Sequence, residues 1–238
     1  NQVLVEIEFC IDSNTKRCSS LIIRDNASGI MKNDIAACIS PAQKQTLESL
    51  NEHGLGLKSA VSALGNLNYL KSKAVNESGF ELNEFKWTLE LKNSVFNFEH
   101  GTEISINVST TQRKLVTSTK ETIKRDLKKL SNILGARYRY LLKKNEIDIK
   151  IILIDGNETQ TFEISKIEPL YFHPWKQLGE PLVYKKQFSH GECVAELTFG
   201  YSPKTKFEFE KIGKRIEDYT LKRGHSINHP YAVSPHNC

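Results

Sequence analysis

Strongly β-prone residues fill Val3–Ile11 (VLVEIEFCI), with polar and apolar alternation from Val5 to Phe9, and the apolar run Leu21–Ile23 fills Ser20–Arg24, with the polar run Ser13–Lys16 between them. That pattern predicts two strands joined as a hairpin. Asp25–Gly29 then supplies turn-forming residues, and Ile30–Ile39 carries apolar residues at helical spacing before Pro41. Ser40–Gly56 is polar and reads as a loop with a short helix. Ala60, Val61, Leu64, Leu67 and Leu70 predict a helix over Lys58–Leu70. Strands are expected at Tyr69–Val75, Phe85–Leu91 and Glu103–Val108, and Arg113–Ser118 reads as a junction. The longest helical pattern is Thr119–Lys144, where Ile123, Leu127, Leu130, Leu134, Tyr138, Leu141 and Leu142 form one stripe. Ile147–Ile154 and Thr159–Ile164 flank Asp155-Gly156-Asn157 as a second hairpin. Leu182–Phe188 and Glu192–Phe199 make a third around Ser189-His190-Gly191. Phe207–Leu221 is amphipathic, and Lys222–Cys238 is a polar tail. Strands and helices mixed in this order predict an α+β chain.

Its 238 residues allow one large domain or two ordinary ones. No apolar run approaches the about 20 residues of a membrane-crossing helix. Five cysteines without a C-x-x-C pair favour a reducing, intracellular setting, cytoplasmic or nuclear. Cys10 and Cys18 are placed where they could face one another across the first hairpin. A net charge of +5 is mild, so only its distribution can point to a polyanion. Between Arg113 and Lys144 eleven Lys/Arg stand against two acidic residues. This is either a solvated helix face or a phosphate-tracking one. The chain begins at Asn1 inside a strand-like run and stops at Cys238 without a closing element, as expected of a piece cut from a longer protein.

Three short stretches carry chemistry. Asp25 is a carboxylate at a strand end, followed by Asn26 and by Gly29, where backbone can approach a planar ring. Gly54-x-Gly56-x-Lys58 precedes a helix, so glycines, helix N–H groups and a cation combine as a phosphate cradle. Gly101-Thr102 opens a strand. Each alone is also an ordinary turn or loop. His53 within the loop faces either phosphate or solvent. His225, His229, His236 and Cys238 have soft-ligand chemistry but lack paired zinc spacing, so no metal site is assigned. His190 and Cys193 lack an orienting third group, which favours structural roles. Trp87, Tyr138 and Tyr140 are expected in or beside the core.

Taken in order, DNASGI, GLGLK and HGTEISI resemble the motifs of the GHKL, or Bergerat-fold, ATPases, which include gyrase B, MutL and histidine kinases. Ala27 stands where that pattern has its first glycine. NEHGLGLKSAVSALG with EHGTEISINV looks closest to the MORC-like members. The resemblance implies a Bergerat-fold α/β sandwich over residues 1–112, without its first helix, followed by a transducer-like α/β domain over 113–238. It implies that Asp25 binds the adenine amine and Gly29 lies under the ring. Gly54, Leu55, Gly56, Leu57 and Lys58 would wrap the phosphates of ATP, and Thr102 would assist Asp25 through a water. Mg2+ would accompany ATP. The water-activating Glu and magnesium-binding Asn would precede Asn1, and a γ-phosphate lysine would follow Cys238. ATP binding with slow ATP hydrolysis by the whole protein, driving homodimerisation and clamp closure on DNA, is the implied activity. A non-hydrolysing nucleotide-dependent module, or a plain DNA-binding protein using Arg113–Lys144, are the alternatives.

Overall fold

A computed structural model describes residues 2–36, 56–85, 90–96, 99–109, 120–168, 171, 182–201, 221–222 and 225–227. It divides into two compact units, Asn1–Ser165 and Lys166–Cys238. The architecture is α+β, built on one eight-stranded sheet. Its strands are β1 (Val3–Ile11), β2 (Cys18–Asp25), β3 (Gly65–Lys73), β4 (Phe80–Leu82), β5 (Lys92–Asn93), β6 (Gly101–Val108), β7 (Ile147–Asp155) and β8 (Glu158–Glu163). Their order is β5-β4-β3-β6-β2-β1-β7-β8. Every pairing is antiparallel except β1 with β7; α2 (Lys120–Arg137) and α3 (Arg139–Lys143) lie in the chain between β6 and β7. α1 (Gly56–Leu64) runs directly into β3.

The sheet has one apolar face, as expected when an antiparallel sheet is covered on one side only. Phe9, Leu21, Ile106, Ile149, Ile151 and Leu153 point to it, and Val61 of α1 with Ile123 and Leu127 of α2 complete the same buried cluster. A second cluster of Ile35, Leu70, Phe80 and Leu82 lies on that face toward β4. The outer face is polar. Arg24 Nε donates to Glu103 Oε2 at 2.9 Å, and its NH1 donates to Glu8 Oε2 at 3.1 Å. Tyr69 Oη donates to Glu103 Oε1 at 2.8 Å. This ladder links four adjacent strands and pins their register, since a one-residue slip would exchange Arg24 for Asp25.

Several elements differ from the pattern-based expectation. The helix expected over Lys58–Leu70 ends at Leu64, and Leu67 and Leu70 belong to β3. A register shift between Leu67 and Tyr69 puts both leucines on the core face. A bulge therefore reproduces in a strand the three-residue spacing of a helix. At the helix–strand junction a Cβ on Gly65 would collide with the Asn107 carbonyl. β4 was not foreseen, although Phe80 and Leu82 are buried. Of the strand expected at Phe85–Leu91, Phe85 and residues 90–91 are non-strand, and the rest lies outside the described residues. Ile30–Ile39 shows a turn and the start of a helix at residues 35–36, and its remainder also lies outside them.

The boundary expected at residue 112 falls inside the first compact unit. α2 buries Ile123 and Leu127 in the main core, and β7 extends the main sheet beside β1. The long helix breaks at Tyr138, which is 38% exposed, and Tyr140 is 59% exposed, so neither is core. α3 ends with Asn145 at φ 54° and with the Glu146 amide donating to the Leu141 carbonyl, a left-handed cap. Cys10 pairs with Ser20 and Cys18 with Ile11, so the two thiols do not oppose one another, and both are free. Trp87 lies outside the described residues. The second unit contains the hairpin of β9 (Val183–His190) and β10 (Cys193–Gly200), turning at Gly191-Glu192, and a short pair of β11 (Leu221–Lys222) and β12 (His225–Ile227).

Candidate nucleotide site

One transverse row of the sheet organises the site. Val5 pairs with Asp25, Asp25 with Thr102, Thr102 with Ser72, and Ser72 with Phe80. Directly paired residues share a sheet face with Cβ atoms about 5 Å apart. The row therefore lays a carboxylate and two hydroxyls side by side on the otherwise apolar inner face. Phe9, Leu21 and Ile106 on that face are 3%, 5% and 3% exposed. Val5, Ile7, Ile23 and Ile104, nearer Asp25, are only half-buried. Cover thins toward the carboxylate, leaving an apolar floor around it.

The Asp25 turn is held from both sides. Asp25 Oδ1 accepts the Ala27 amide at 2.9 Å. Asn26 exchanges two hydrogen bonds with Leu4, its Oδ1 accepting the Leu4 amide at 2.7 Å and its amide donating to the Leu4 carbonyl at 3.2 Å. His100 Nδ1 meets the Ala27 carbonyl at 2.7 Å. The Ile30 amide donates to Ser72 Oγ at 2.8 Å. Burial pushes the Asp25 carboxyl above the ordinary carboxylate range, opposed by the amides of Ala27 and Thr102. Such a group seeks a hydrogen-bond donor on its open side.

Glycine is required twice here. Gly29 has φ 72°, and a Cβ would strike the Lys73 carbonyl. Gly101 has φ 134°, and a Cβ would strike the Asp25 carbonyl. Both let neighbouring backbone close against the turn. Gly56 differs, since a Cβ there would meet nothing within 4 Å.

Gly56, Leu57 and Lys58 form the first turn of α1, which starts two residues before the helix expected from Lys58. Gly54, Leu55 and His53 lie outside the described residues. Leu57 packs against both core clusters, and Ile30, next to Gly29, packs against the second of them. The two motifs are thus tied to one cluster on the same sheet face. Lys58 is half-buried and lines a cavity of about 710 Å³ with Val61, Leu67, Asn83 and Phe85. None of the Asp25 row lines that cavity, so the structure does not bring Lys58 into contact with Asp25.

Ser72 and His100 were missed by sequence reasoning. Ser72 sat in the strand expected at Tyr69–Val75, where the inward alternation Leu70-x-Ser72 marks a hydroxyl on a core face. His100 directly precedes Gly101-Thr102. Among the described residues no group of three or more His, Cys, Asp or Glu is placed to hold a metal ion. The side chains of the His225–Cys238 tail and of Cys193 lie outside the described residues. Among the described residues no helix is long and apolar enough to cross a membrane.

Among solved structures, the chain is similar to the Aquifex aeolicus MutL ATPase domain complexed with ADP, at 16% identity and a TM-score of 0.43, over 69% of this chain and 57% of that one. It is also similar to the N-terminal domain of a DNA repair protein, at 13% identity and a TM-score of 0.41, over 68% of this chain and 47% of that one. The chain spans about half the length of these structures. No known family profile and no curated protein sequence matches it.

Proposed function

We propose that this chain is the nucleotide-binding part of a GHKL-type ATPase of the MORC and MutL kind. The observation that carries the reading is the Asp25–Thr102 pair, set in an apolar, half-covered floor on the sheet face that also holds the start of α1. A flat apolar ring with an exocyclic amine suits that floor: the amine donates to Asp25, and the ring lies over Val5, Ile7, Ile23 and Ile104. Thr102 assists Asp25 through a water, and Gly29, closed against the Lys73 carbonyl, lies beneath the ring.

The triphosphate runs toward Gly54–Lys58. The amides at the start of α1 and the Lys58 ammonium, on its flexible stem, receive the negative charge. Mg2+ would be held mainly by phosphate oxygens and water in such a site. When bound it neutralises phosphate charge. No residue of this chain is assigned to activating water.

The output follows by linkage. ATP favours whichever assembly binds it better, so a closed homodimer is populated by ATP and reset by hydrolysis. A specific observation favours a DNA-directed output. α2 buries Ile123 and Leu127, while Arg125, Lys128, Lys129 and Arg137 stay exposed on its other side. The decisive experiment is calorimetric titration of ATP into the complete protein and its Asp25→Asn and Lys58→Ala variants, with light scattering for dimerisation. Loss of binding in both variants is expected. Wild-type affinity in both would remove the reading.

A further inference from the structure

We propose that Arg24, on the outer face of the sheet, is a positioning residue for the nucleotide site on the inner face; this rests on the nucleotide reading above. Asp25 pairs with Thr102 at the last position of the β2–β6 ladder and with Val5 at the last position of the β1–β2 ladder. A terminal rung has a neighbour on one side only, and strand ends open first. The neighbouring rung pairs Arg24 with Glu103 on β6 and with Glu6 on β1. How firmly that rung is fixed decides how far Asp25 and Thr102 can drift apart.

One guanidinium fixes it from several directions. Arg24 Nε donates to Glu103 Oε2 at 2.9 Å, while NH1 lies 3.1 Å from Glu8 Oε2 and 3.6 Å from Glu6 Oε2. The other oxygen of Glu103 accepts from Tyr69 Oη on β3 at 2.8 Å. The cluster thus ties together the four strands that carry Val5, Asp25, Thr102 and Ser72. The side chains of Glu8 and Glu103 are only 13% and 15% exposed, so salt screens these contacts weakly. The row also holds register information that the apolar face lacks. Glu6, Arg24, Glu103, Lys71 and Glu81 stand in register on five strands and alternate in sign. A two-residue slip of β2 along β6 would keep apolar side chains inward. It would also set Asp25 opposite Ile104 and Arg24 opposite Ser105, and the lost Arg24–Glu103 pair opposes it. Lysine cannot replace this device, since its single ammonium lacks the fork that reaches carboxylates on both flanking strands. Arg24 acts on the ligand only through the strands it holds.

The test is calorimetry of ATP and of adenosine on the complete protein, at a temperature where circular dichroism shows each variant folded, with thermal melts alongside. Arg24→Met keeps the aliphatic stem and removes the fork. It should weaken ATP and adenosine by the same factor, roughly tenfold, because both ligands use the Asp25 row. Arg24→Lys keeps the charge among the carboxylates, so it guards against a folding failure of the methionine variant, and it should bind both ligands with intermediate affinity. Tyr69→Phe releases β3 alone and should cost less than Arg24→Met. A purely stabilising role would lower the melting temperature and leave the folded variants with wild-type affinity. That result overturns the proposal. So does a loss confined to ATP, which would make Arg24 a distant charge acting on phosphates. Either result leaves the nucleotide reading intact, whereas a wild type that binds neither ligand overturns that reading and this proposal with it.

Discussion

His100 Nδ1 lies 2.7 Å from the Ala27 carbonyl oxygen, joining the residue before β6 to the turn that leaves β2. A carbonyl only accepts, so the imidazole donates, and the tautomer is fixed with the proton on Nδ1 or on both nitrogens. The bond holds Ala27, whose own amide is held by Asp25, so His100 and the carboxylate grip the turn from opposite sides. A single neutral hydrogen bond contributes about 1 kcal/mol net. His100→Phe, which keeps the ring volume, should lower the melting temperature by a few degrees and weaken ATP binding by about fivefold. Thermal melts and calorimetry check this, and an unchanged nucleotide affinity would remove His100 from the site.

Asp25 separates stability from binding. Its carboxyl is raised by burial, so the native state binds the proton more tightly than the unfolded chain does. Unfolding stability therefore falls as pH rises from the ordinary carboxylate range through the raised native value, and above it the ionised group is a net cost to folding. Asp25→Asn retains an oxygen for the Ala27 amide and removes the charge. It should melt at or above the wild-type temperature at neutral pH, and the difference should shrink on acidification. ATP affinity should fall by tens of fold, the scale of a lost charge-assisted hydrogen bond. In the wild type, affinity should begin to weaken at a higher pH than an unperturbed aspartate would produce. A variant that binds ATP normally or is clearly less stable at neutral pH would refute this assignment.

How much of this was legible in the sequence depends on the range of the signal. Val3–Ile11 and its return strand are rich in β-branched and other β-prone residues around a polar turn, and the structure has both strands. DNASGI and HGTEISI each name their own turn and strand, but nothing local says that Asp25 and Thr102 are cross-strand partners. That comes from β6 pairing with β2, 77 positions later in the chain for those two residues. Ser72 was hidden for a different reason. The bulge at Leu67–Tyr69 breaks the alternation leading into the strand expected at Tyr69–Val75, so the face on which its hydroxyl lies could not be assigned. The apolar stripe of α2 completes the core begun by β1 and β2, a long-range contact that the local pattern around residue 112 does not show.

Gly29 tests the backbone side of the site. At φ 72° an L side chain is strained by about 1–2 kcal/mol, and the added Cβ of Gly29→Ala would also collide with the Lys73 carbonyl. The turn has to move, and the Ile30 amide moves with it from Ser72. Gly29→Ala should lower the melting temperature by more than His100→Phe does and abolish measurable ATP binding. A variant that melts like the wild type would show that this turn is not packed against β3 as described.

The exposed basic side of α2 has its own test. Arg125, Lys128, Lys129 and Arg137 carry charge away from the buried Ile123 and Leu127. If this face follows a phosphate backbone, duplex DNA should bind with a steep loss of affinity as salt rises. Replacing Lys128 and Lys129 together by Gln should flatten the slope of log affinity against log salt by about two. Binding independent of salt, or an unchanged slope in the double variant, would leave the charges as a solvated helix face.

Gly56 gives the most discriminating measurement, because the free protein does not need it to be glycine. A Cβ there has open space around it, and the residue opens α1. In a helix, alanine is favoured over glycine by up to about 1 kcal/mol. Gly56→Ala should therefore leave the unliganded protein as stable as the wild type or slightly more so. The glycine has a use only if something approaches its backbone closely, as a phosphate does at a helix N-terminus. Affinity for ATP should then fall by roughly tenfold while affinity for adenosine, which lacks phosphates, stays unchanged. Lys58→Ala should show the same split between ATP and adenosine, whereas Asp25→Asn should weaken both. A Gly56→Ala protein that binds ATP as the wild type does would separate the start of α1 from the phosphates and leave the Asp25 row as the only nucleotide contact.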